Sequence, residues 1–426
     1  MKKILLWLGI TLVSVVLGLL CAEFALRLSA PKPLTAGEVS THAVYHPRYG
    51  FVEPIGKSWQ VAREYRVESN FNHDFMSEEI EFTPDPHQCD WLAVGDSHTM
   101  ATGVGTRQTW PNVTERLLNH DGATPVRIWN TGVGGYSLGQ YLMRARDLYS
   151  KVKPKVLLIG FSTATDFYDV IPPRKGGFIY FNGFGRVYFD LDSAGKLVQH
   201  DELVGVNTLT QSSDVGTVST TVVQPEISFM GQVKNYLGEN SELYRAAKSS
   251  RLAVWLASRS TSQDSIWPSM DTVAKKIPNE QDRYRIALAT AILRQMSVEA
   301  KAAGAVPILV KIPYLPEVYD EIWNNSFGMY PNIYDRGRAG ELMREVAAQA
   351  DMQLIDTTAE FTAAVKQRGH WLHFPIDRHP NVEGQALIAE VVAKTLAPMM
   401  QQYCSPSSTA ASAATVDVPS AATPIK

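Results

Sequence analysis

Cysteine is scarce in this chain: Cys21, Cys89 and Cys404 are the only three among 426 residues. Three widely spaced thiols make neither a disulfide framework nor a Cys-x-x-Cys metal pattern. Cys21 lies inside an apolar run, and a bridge between Cys89 and Cys404 is open to a chain outside the cytoplasm, although spacing alone does not set their distance. The histidines and carboxylates fall into no His-Glu-x-x-His-like group, so neither a metal nor a cofactor is expected. Surplus charge of one sign is also missing. Forty Lys and Arg stand against 43 Asp and Glu, a net charge of −3, which argues against a nucleic-acid partner. The basic stretch Lys151-Val152-Lys153-Pro154-Lys155 reads as a solvated helix end. Internal repeats are absent too.

Long apolar runs are confined to the N-terminus. Met1-Lys2-Lys3 precedes an uncharged stretch from Ile4 to Ala22, which as a helix would rise about 28 Å, close to the thickness of a hydrocarbon core. The two lysines before it predict a cytoplasmic N-terminus in the inner membrane, with the rest of the chain periplasmic. A cleaved leader would need a small-x-small site after the run, and Leu20-Cys21-Ala22 and Glu23-Phe24-Ala25 do not supply one. Residues 1–30 therefore read as an uncleaved anchor.

The remainder is rich enough in apolar residues, 45% over the whole chain, to bury a large core. Residues 31–88 form a lead-in with turn signals at His46-Pro47, Tyr49-Gly50 and Pro84-Asp85-Pro86. Short apolar strands then alternate with helical patterns. Asp90 to Val94 is the first strand, Val126 to Trp129 the second and Val156 to Ile159 the third; Val306 to Lys311 and Met352 to Ile355 complete five. Helices are predicted from Trp110, from Ser137 through about Val152, over about 232–258, 280–303 and 336–350, and from Val382 to about Gln402 behind Asn381 as N-cap. This alternation predicts an α/β fold with a parallel sheet covered on both faces. Phe167 to Val198 is aromatic-rich and includes a hairpin, Val187 to Leu191 with Lys196 to Val198, and with a Ser/Thr/Val-rich stretch, 199–225, read as a loop or lid, it belongs to an insertion around 170–280. The aromatics either stack on sugars at the rim of a site or simply pack the insertion. Residues 405–426 read as a disordered tail after a domain spanning 31–404.

Four loops carry the chemistry. Gly95-Asp96-Ser97 follows the first strand and places a serine where a helix can start, beside N–H groups that favour negative charge. Asn130-Thr131-Gly132-Val133-Gly134-Gly135 follows the second strand, and Gly160-Phe161-Ser162-Thr163-Ala164-Thr165-Asp166 the third. Asp377-Arg378-His379 comes just before the last helix. A serine hydroxyl attacks a carbonyl only when a histidine takes its proton, and that histidine needs a carboxylate to hold it.

In order and spacing these loops resemble the four blocks of the SGNH/GDSL hydrolases, and more closely the membrane-anchored bacterial members. The likeness spans about residues 40–400 and is loose after Phe189. The resemblance implies a three-layer α/β/α, flavodoxin-like domain with a five-stranded parallel sheet. It assigns Ser97 as nucleophile, His379 as general base and Asp377 as the acid orienting it. Backbone N–H groups of Ser97 and Gly135 would form the oxyanion hole, with Thr165 standing where the family has its signature asparagine. Asp377 and His379 are separated by one residue where many members have two. The expected function is a serine-dependent acyl-ester hydrolase outside the cytoplasm, plausibly an esterase acting on acetylated carbohydrate. An O-acyltransferase modifying an envelope or exopolysaccharide glycan is the alternative reaction. A non-catalytic glycan-binding scaffold is the alternative class, favoured by the Thr165 substitution.

Overall fold

The computed structural model describes residues 2–32, 34–35, 37–120, 125–172, 180–181, 183–205 and 268–404, with isolated positions between 233 and 244. A 28-residue helix, Lys2–Ser29, forms the N-terminus. Among the described residues it is the one helix long and apolar enough to cross a membrane, and apolar side chains such as Trp7, Leu12, Leu17 and Leu20 are exposed along it.

The lead-in is more ordered than its turn signals suggest. It contains two antiparallel hairpins, β1 (Val44–His46) with β2 (Gly50–Val52) and β3 (Gly56–Ala62) with β4 (Tyr65–Phe71). The second pairs in register from Gly56 opposite Phe71 to Ala62 opposite Tyr65.

The core sheet is built from β5 (Cys89–Val94), β6 (Val126–Asn130), β7 (Val156–Ser162), β12 (Val306–Ile312) and β13 (Gln353–Asp356). The intervening small hairpins are β8 (Tyr180–Phe181) with β9 (Phe184–Gly185), and β10 (Tyr188–Leu191) with β11 (Leu197–His200). Across the core sheet the order is β13-β12-β7-β5-β6, every pair parallel. Counting only these five strands along the chain, the order is 2-1-3-4-5, the flavodoxin-like arrangement. Helices Trp110–His120 and Val382–Leu396 pack together over one face. Helices Leu138–Val152, Glu280–Ala302 and Arg338–Gln349 cover the other. With both faces covered, alternation of polar and apolar residues is lost, and every residue of β5 and β7 is buried.

Local signals explain the helix ends. Ser137 and Gln140 make a capping box before Leu138, and the Asn381 side chain accepts from Gly384 N–H. Gly304, at φ +82°, ends the helix Glu280–Ala302. The last helix stops at Leu396, sooner than its periodicity suggests, where Ala397-Pro398 tightens into a 3₁₀ turn before Met400–Cys404. That final turn places Cys404 against the start of β5, where it forms a disulfide with Cys89.

In the aromatic stretch, Phe167 and Phe189 are buried in the core, Phe184 and Tyr188 are half-buried, and the side chains from 173 to 182 lie outside the described residues. The expected loop or lid at 199–225 lies outside the described residues beyond Gly205, as do most of the expected helix at 232–258 and the whole tail at 405–426.

Candidate active site

In an open parallel sheet whose order reverses about its first strand, the loops leaving the first and third strands diverge and leave a crevice at the carboxyl edge. Here those strands are β5 and β7, and Ser97 stands just past β5. Gly95 is fixed by crowding, since a Cβ there would lie 2.0 Å from Thr99 Oγ1. The chain then turns at Asp96 into the short helix Ser97–Met100, so Ser97 is its first residue. Asp96 caps this turn, its carboxylate accepting from His98 N–H at 2.8 Å.

The loop after β6 runs alongside that turn. Thr131 N–H donates to Ala93 O and Val133 N–H to Gly95 O. Gly135 sits at φ +78°, a conformation that L side chains rarely adopt. Among the described residues, the N–H groups of Ser97 and Gly135 take no acceptor from the protein itself. Two backbone donors are thus left for an outside oxygen.

Asp377 and His379 arrive on a tight loop before the last helix. Phe374 N–H donates to His379 O and Arg378 N–H to Phe374 O, both at 2.8 Å. Arg378 adopts φ +74°, and this left-handed residue lets a spacing of two bring both side chains together. Ser97 Oγ donates to His379 Nε2 at 2.7 Å, and His379 Nδ1–H donates to Asp377 Oδ1 at 2.5 Å. The structure therefore joins Ser97, His379 and Asp377 in one chain of hydrogen bonds. Burial pushes the Asp377 carboxyl up, but the bond and charge of His379, and a hydroxyl from Tyr65, outweigh it and hold it below the usual carboxylate range.

Thr165 is arranged otherwise than expected. Its hydroxyl donates to Asp96 Oδ2 at 2.7 Å, and its N–H donates to Ser162 O at 3.3 Å. The physical reason is Asp96, a carboxylate only 2% exposed that must gather donors to remain charged. A threonine hydroxyl has one proton, and here it is committed to Asp96 and not to an oxyanion.

Several residues around the site carried no functional reading in the sequence. His98 faces the Asp96 carboxylate through Nδ1 at 3.1 Å, and its ring centroid lies 4.6 Å from that of His379. A second Asp–His pair thus adjoins the first, but His98 Nε2 turns to Ser162 Oγ at 3.3 Å. Burial pushes the Asp96 carboxyl up, but the His98 charge and the bonds from His98 and Thr165 bring it below its ordinary value. Its neighbour Asp166 is raised well above, by burial and then by the Asp96 charge, and takes bonds from Tyr141 Oη and Ser162 N–H.

The hairpin β3–β4 reaches the triad from the other side. Tyr65 Oη donates to Asp377 Oδ2 at 2.7 Å, while the Glu64 carboxylate accepts from Asp377 N–H at 2.7 Å and from Ile376 N–H at 3.0 Å. Alternation along Trp59-Gln60-Val61 and Tyr65-Arg66-Val67 around Arg63-Glu64 is the signal that could have revealed this hairpin.

No protein-family model matches the chain. No curated protein matches it in sequence. Solved structures resemble it at low identity and low TM-score. One is TesA, 17% identical over 73% of this chain and 99% of TesA, with a TM-score of 0.34. Another is a catalytic mutant of Axe2, an acetylxylan esterase from Geobacillus stearothermophilus, 14% identical over 72% of this chain and 92% of that one, with a TM-score of 0.35. A third is LAE5, described as an alpha/beta hydrolase enzyme from the metagenome of Lake Arreo in Spain, 12% identical over 72% and 94% of the two chains, with a TM-score of 0.34.

Proposed function

We propose that this chain, an SGNH-type hydrolase in fold and loop arrangement, is an envelope-anchored, serine-dependent acyl-ester enzyme. The observation that carries the reading is the bonded sequence Ser97–His379–Asp377, three residues from opposite ends of the domain. His379 Nε2 takes the Ser97 proton as Oγ attacks the acyl carbon, and Asp377 holds the imidazole and its positive charge. The carbonyl oxygen, now negative, turns to the Ser97 and Gly135 N–H groups. Collapse breaks the bond to the alcohol, which leaves with the proton from His379, and the acyl group stays on Ser97. A second hydroxyl then gives its proton to His379, attacks the acyl carbon and releases Ser97. Water in that role makes the enzyme an esterase, with acetylated carbohydrate the favoured substrate class.

A transferase reading has its own support. With Thr165 committed to Asp96, the hole has two backbone donors and lacks the side-chain donor that usually completes it. One missing donor costs roughly 100- to 1000-fold in rate, in deacylation by either acceptor, so a sugar hydroxyl held in place would have the advantage over free water. The non-catalytic scaffold reading must explain why the three side chains remain assembled.

Labelling with a fluorophosphonate probe tests the proposal. Wild-type protein should be labelled and turn over p-nitrophenyl acetate, while Ser97→Ala and His379→Ala should each lose nearly all of both. Turnover persisting in Ser97→Ala would reject the assignment, and unlabelled, inactive protein that binds glycans would favour the scaffold. For localisation, the N-terminal helix is placed in the inner membrane with Lys2 and Lys3 on the cytoplasmic side and the domain in the periplasm. A reporter fused after Lys426 that works only in the cytoplasm would overturn that orientation.

A further inference from the structure

Beside the Ser97 turn lies a pocket of about 200 Å³ that the triad itself does not use. Its walls come from three places. Met100 and Thr102 lie on and just after the short helix that Ser97 begins, and Gly134 precedes the Gly135 peptide. Thr41, His42, Trp59 and Tyr65 come from the lead-in and the hairpin β3–β4. Two walls of the pocket are therefore the same two loops that present the nucleophile and the N–H donors. Tyr65 connects the third wall to the triad through Asp377.

Glu53 lies in the lining. It is 4% exposed, yet one carboxylate oxygen accepts only a long bond from Gly134 N–H, at 3.3 Å, and among the described residues the other has no protein partner. A buried carboxyl without a full set of donors costs stability unless something in the pocket satisfies it. Burial pushes its pKa up to about 7, so near neutrality it carries a proton much of the time and can both donate and accept. Two other polar side chains of the lining are already engaged. Gln60 donates to Ser69 Oγ and accepts from Gly103 N–H, and Thr41 bonds Ser58. The most buried lining group left for a hydrogen-bonding occupant is thus the carboxyl of Glu53, with the Thr102 hydroxyl and the Trp59 indole N–H beside it in the same lining.

The lining also selects by charge and shape. It contains no Lys or Arg, which disfavours a uronate, phosphate or other anion. Half of it is polar, which disfavours a long acyl chain. Trp59, whose ring is held by the Arg66 guanidinium 4.0 Å from its centroid, offers an aromatic surface of fixed orientation.

We infer that this pocket is a subsite for an uncharged sugar ring, the alcohol side of the ester that Ser97 handles, with a ring hydroxyl on Glu53 and a ring face or edge against Trp59. It rests on the reading of Ser97 as nucleophile. One subsite serves both directions, because the alcohol that leaves in hydrolysis and the alcohol that attacks in transfer occupy the same place. In the transfer direction the sugar O–H gives its proton to His379, its oxygen bonds the acyl carbon, and the bond from that carbon to Ser97 Oγ breaks as Oγ regains the proton.

Binding can be measured without turnover. Full-length Ser97→Ala protein in detergent is titrated with cello-, xylo-, malto- and chito-tetraose, with tetragalacturonate as the anionic comparison, by saturation-transfer NMR and calorimetry. At least one neutral tetramer should bind with a Kd of about 0.1–1 mM, and tetragalacturonate more weakly. Glu53→Leu and Trp59→Ala should each weaken binding about 3- to 10-fold, and Glu53→Gln, which keeps a polar group, should retain most of it. Val61→Arg changes only a rim side chain that is 37% exposed, so folding is preserved while the mouth is obstructed, and it too should weaken binding. Failure of every neutral tetramer to bind, or binding unchanged in Glu53→Leu, Trp59→Ala and Val61→Arg proteins of normal melting temperature, overturns the subsite. Loss of fluorophosphonate labelling in the wild type would instead overturn the nucleophile, so the two failures are told apart.

Discussion

The hydroxyl of Thr165 donates to the buried carboxylate of Asp96 at 2.7 Å, on the turn that presents Ser97. An asparagine amide at this position would carry two N–H donors, one for Asp96 and one for a developing oxyanion. Thr165→Asn should therefore raise the single-turnover acylation rate on p-nitrophenyl acetate by about tenfold or more, a fraction of what a full oxyanion donor supplies. Thr165→Val removes a donor from a buried charge and should cost about 1–3 kcal/mol of stability. Acylation rates and melting temperatures of both variants check this. A stable Thr165→Asn protein no faster than wild type would sink it.

Tyr65 acts on Asp377 from outside the core domain, through a single hydrogen bond of 2.7 Å. Tyr65→Phe keeps the ring against Phe374, its neighbour at 5.0 Å between centroids, and removes only the bond. Asp377 then loses one donor to its charged form, its pKa rises, and the imidazole is held less firmly. The expected result is a kcat lower by about 3- to 30-fold with KM for p-nitrophenyl acetate little changed, and an acid limb of the pH–rate profile moved upward. A Tyr65→Phe enzyme with an unaltered kcat and pH profile would show that Glu64 and the backbone suffice to hold the loop.

Much of this arrangement is legible in the sequence, and for a common reason. Strands such as Val156–Ser162 are buried on both faces, so they read as unbroken apolar runs, and the turns between them announce themselves through Gly, Pro and Asn. Ser97, His379 and Asp377 stand out in the sequence because serine, histidine and aspartate have few other reasons to sit in matching loops, and the fold brings them into one chain of hydrogen bonds. Glu64 and Tyr65 do not, because their contacts exist only once a hairpin folds back onto a loop some 310 residues later, and Glu53 does not, because it meets Gly134 only across the fold; no local pattern records either contact. Thr165 was misread for a related reason. A hydroxyl is placed by its nearest strong acceptor, and the burial that makes Asp96 such an acceptor is a property of the fold.

Glu53 also predicts how stability depends on pH. Burial raises its carboxyl from 4.5 to about 7 in the folded state. Between those values the folded protein holds a proton that the unfolded chain has released. Its contribution is therefore full below about pH 4.5 and is lost as pH rises through 7. A shift of this size corresponds to about 2–4 kcal/mol. Glu53→Gln cannot titrate and keeps an acceptor for Gly134 N–H, so its urea-unfolding free energy should fall less steeply from pH 5 to pH 8 and exceed wild type at the upper end. Glu78, which burial pushes up to about 8, remains to give a residual slope in both proteins. Parallel stability curves for wild type and Glu53→Gln would mean that Glu53 is more hydrated in solution than the fold implies.

The Cys89–Cys404 disulfide joins the first residue of β5 to the end of the last described helix, closing a loop across a sequence separation of 315 residues. Closing a loop this long removes much freedom from the unfolded chain, an effect worth about 2–5 kcal/mol. It also anchors the C-terminal helix Val382–Leu396, whose start follows His379 by three residues and whose Gln385 accepts from Trp110 N–H and donates to His98 O. Loss of the bridge should therefore loosen the helix that follows His379, most at its far end and least beside His379. Cys404→Ser should lower the melting temperature by several degrees and increase hydrogen exchange across 386–404, while acylation of p-nitrophenyl acetate at 25 °C changes less than about threefold. Wild-type protein treated with dithiothreitol should match the variant, and protein exported to an oxidising compartment should show no free thiol at Cys404 on mass spectrometry. A quantitatively free Cys404 in exported, active enzyme, or a Cys404→Ser protein as stable as wild type, would show that the helix is held by packing alone.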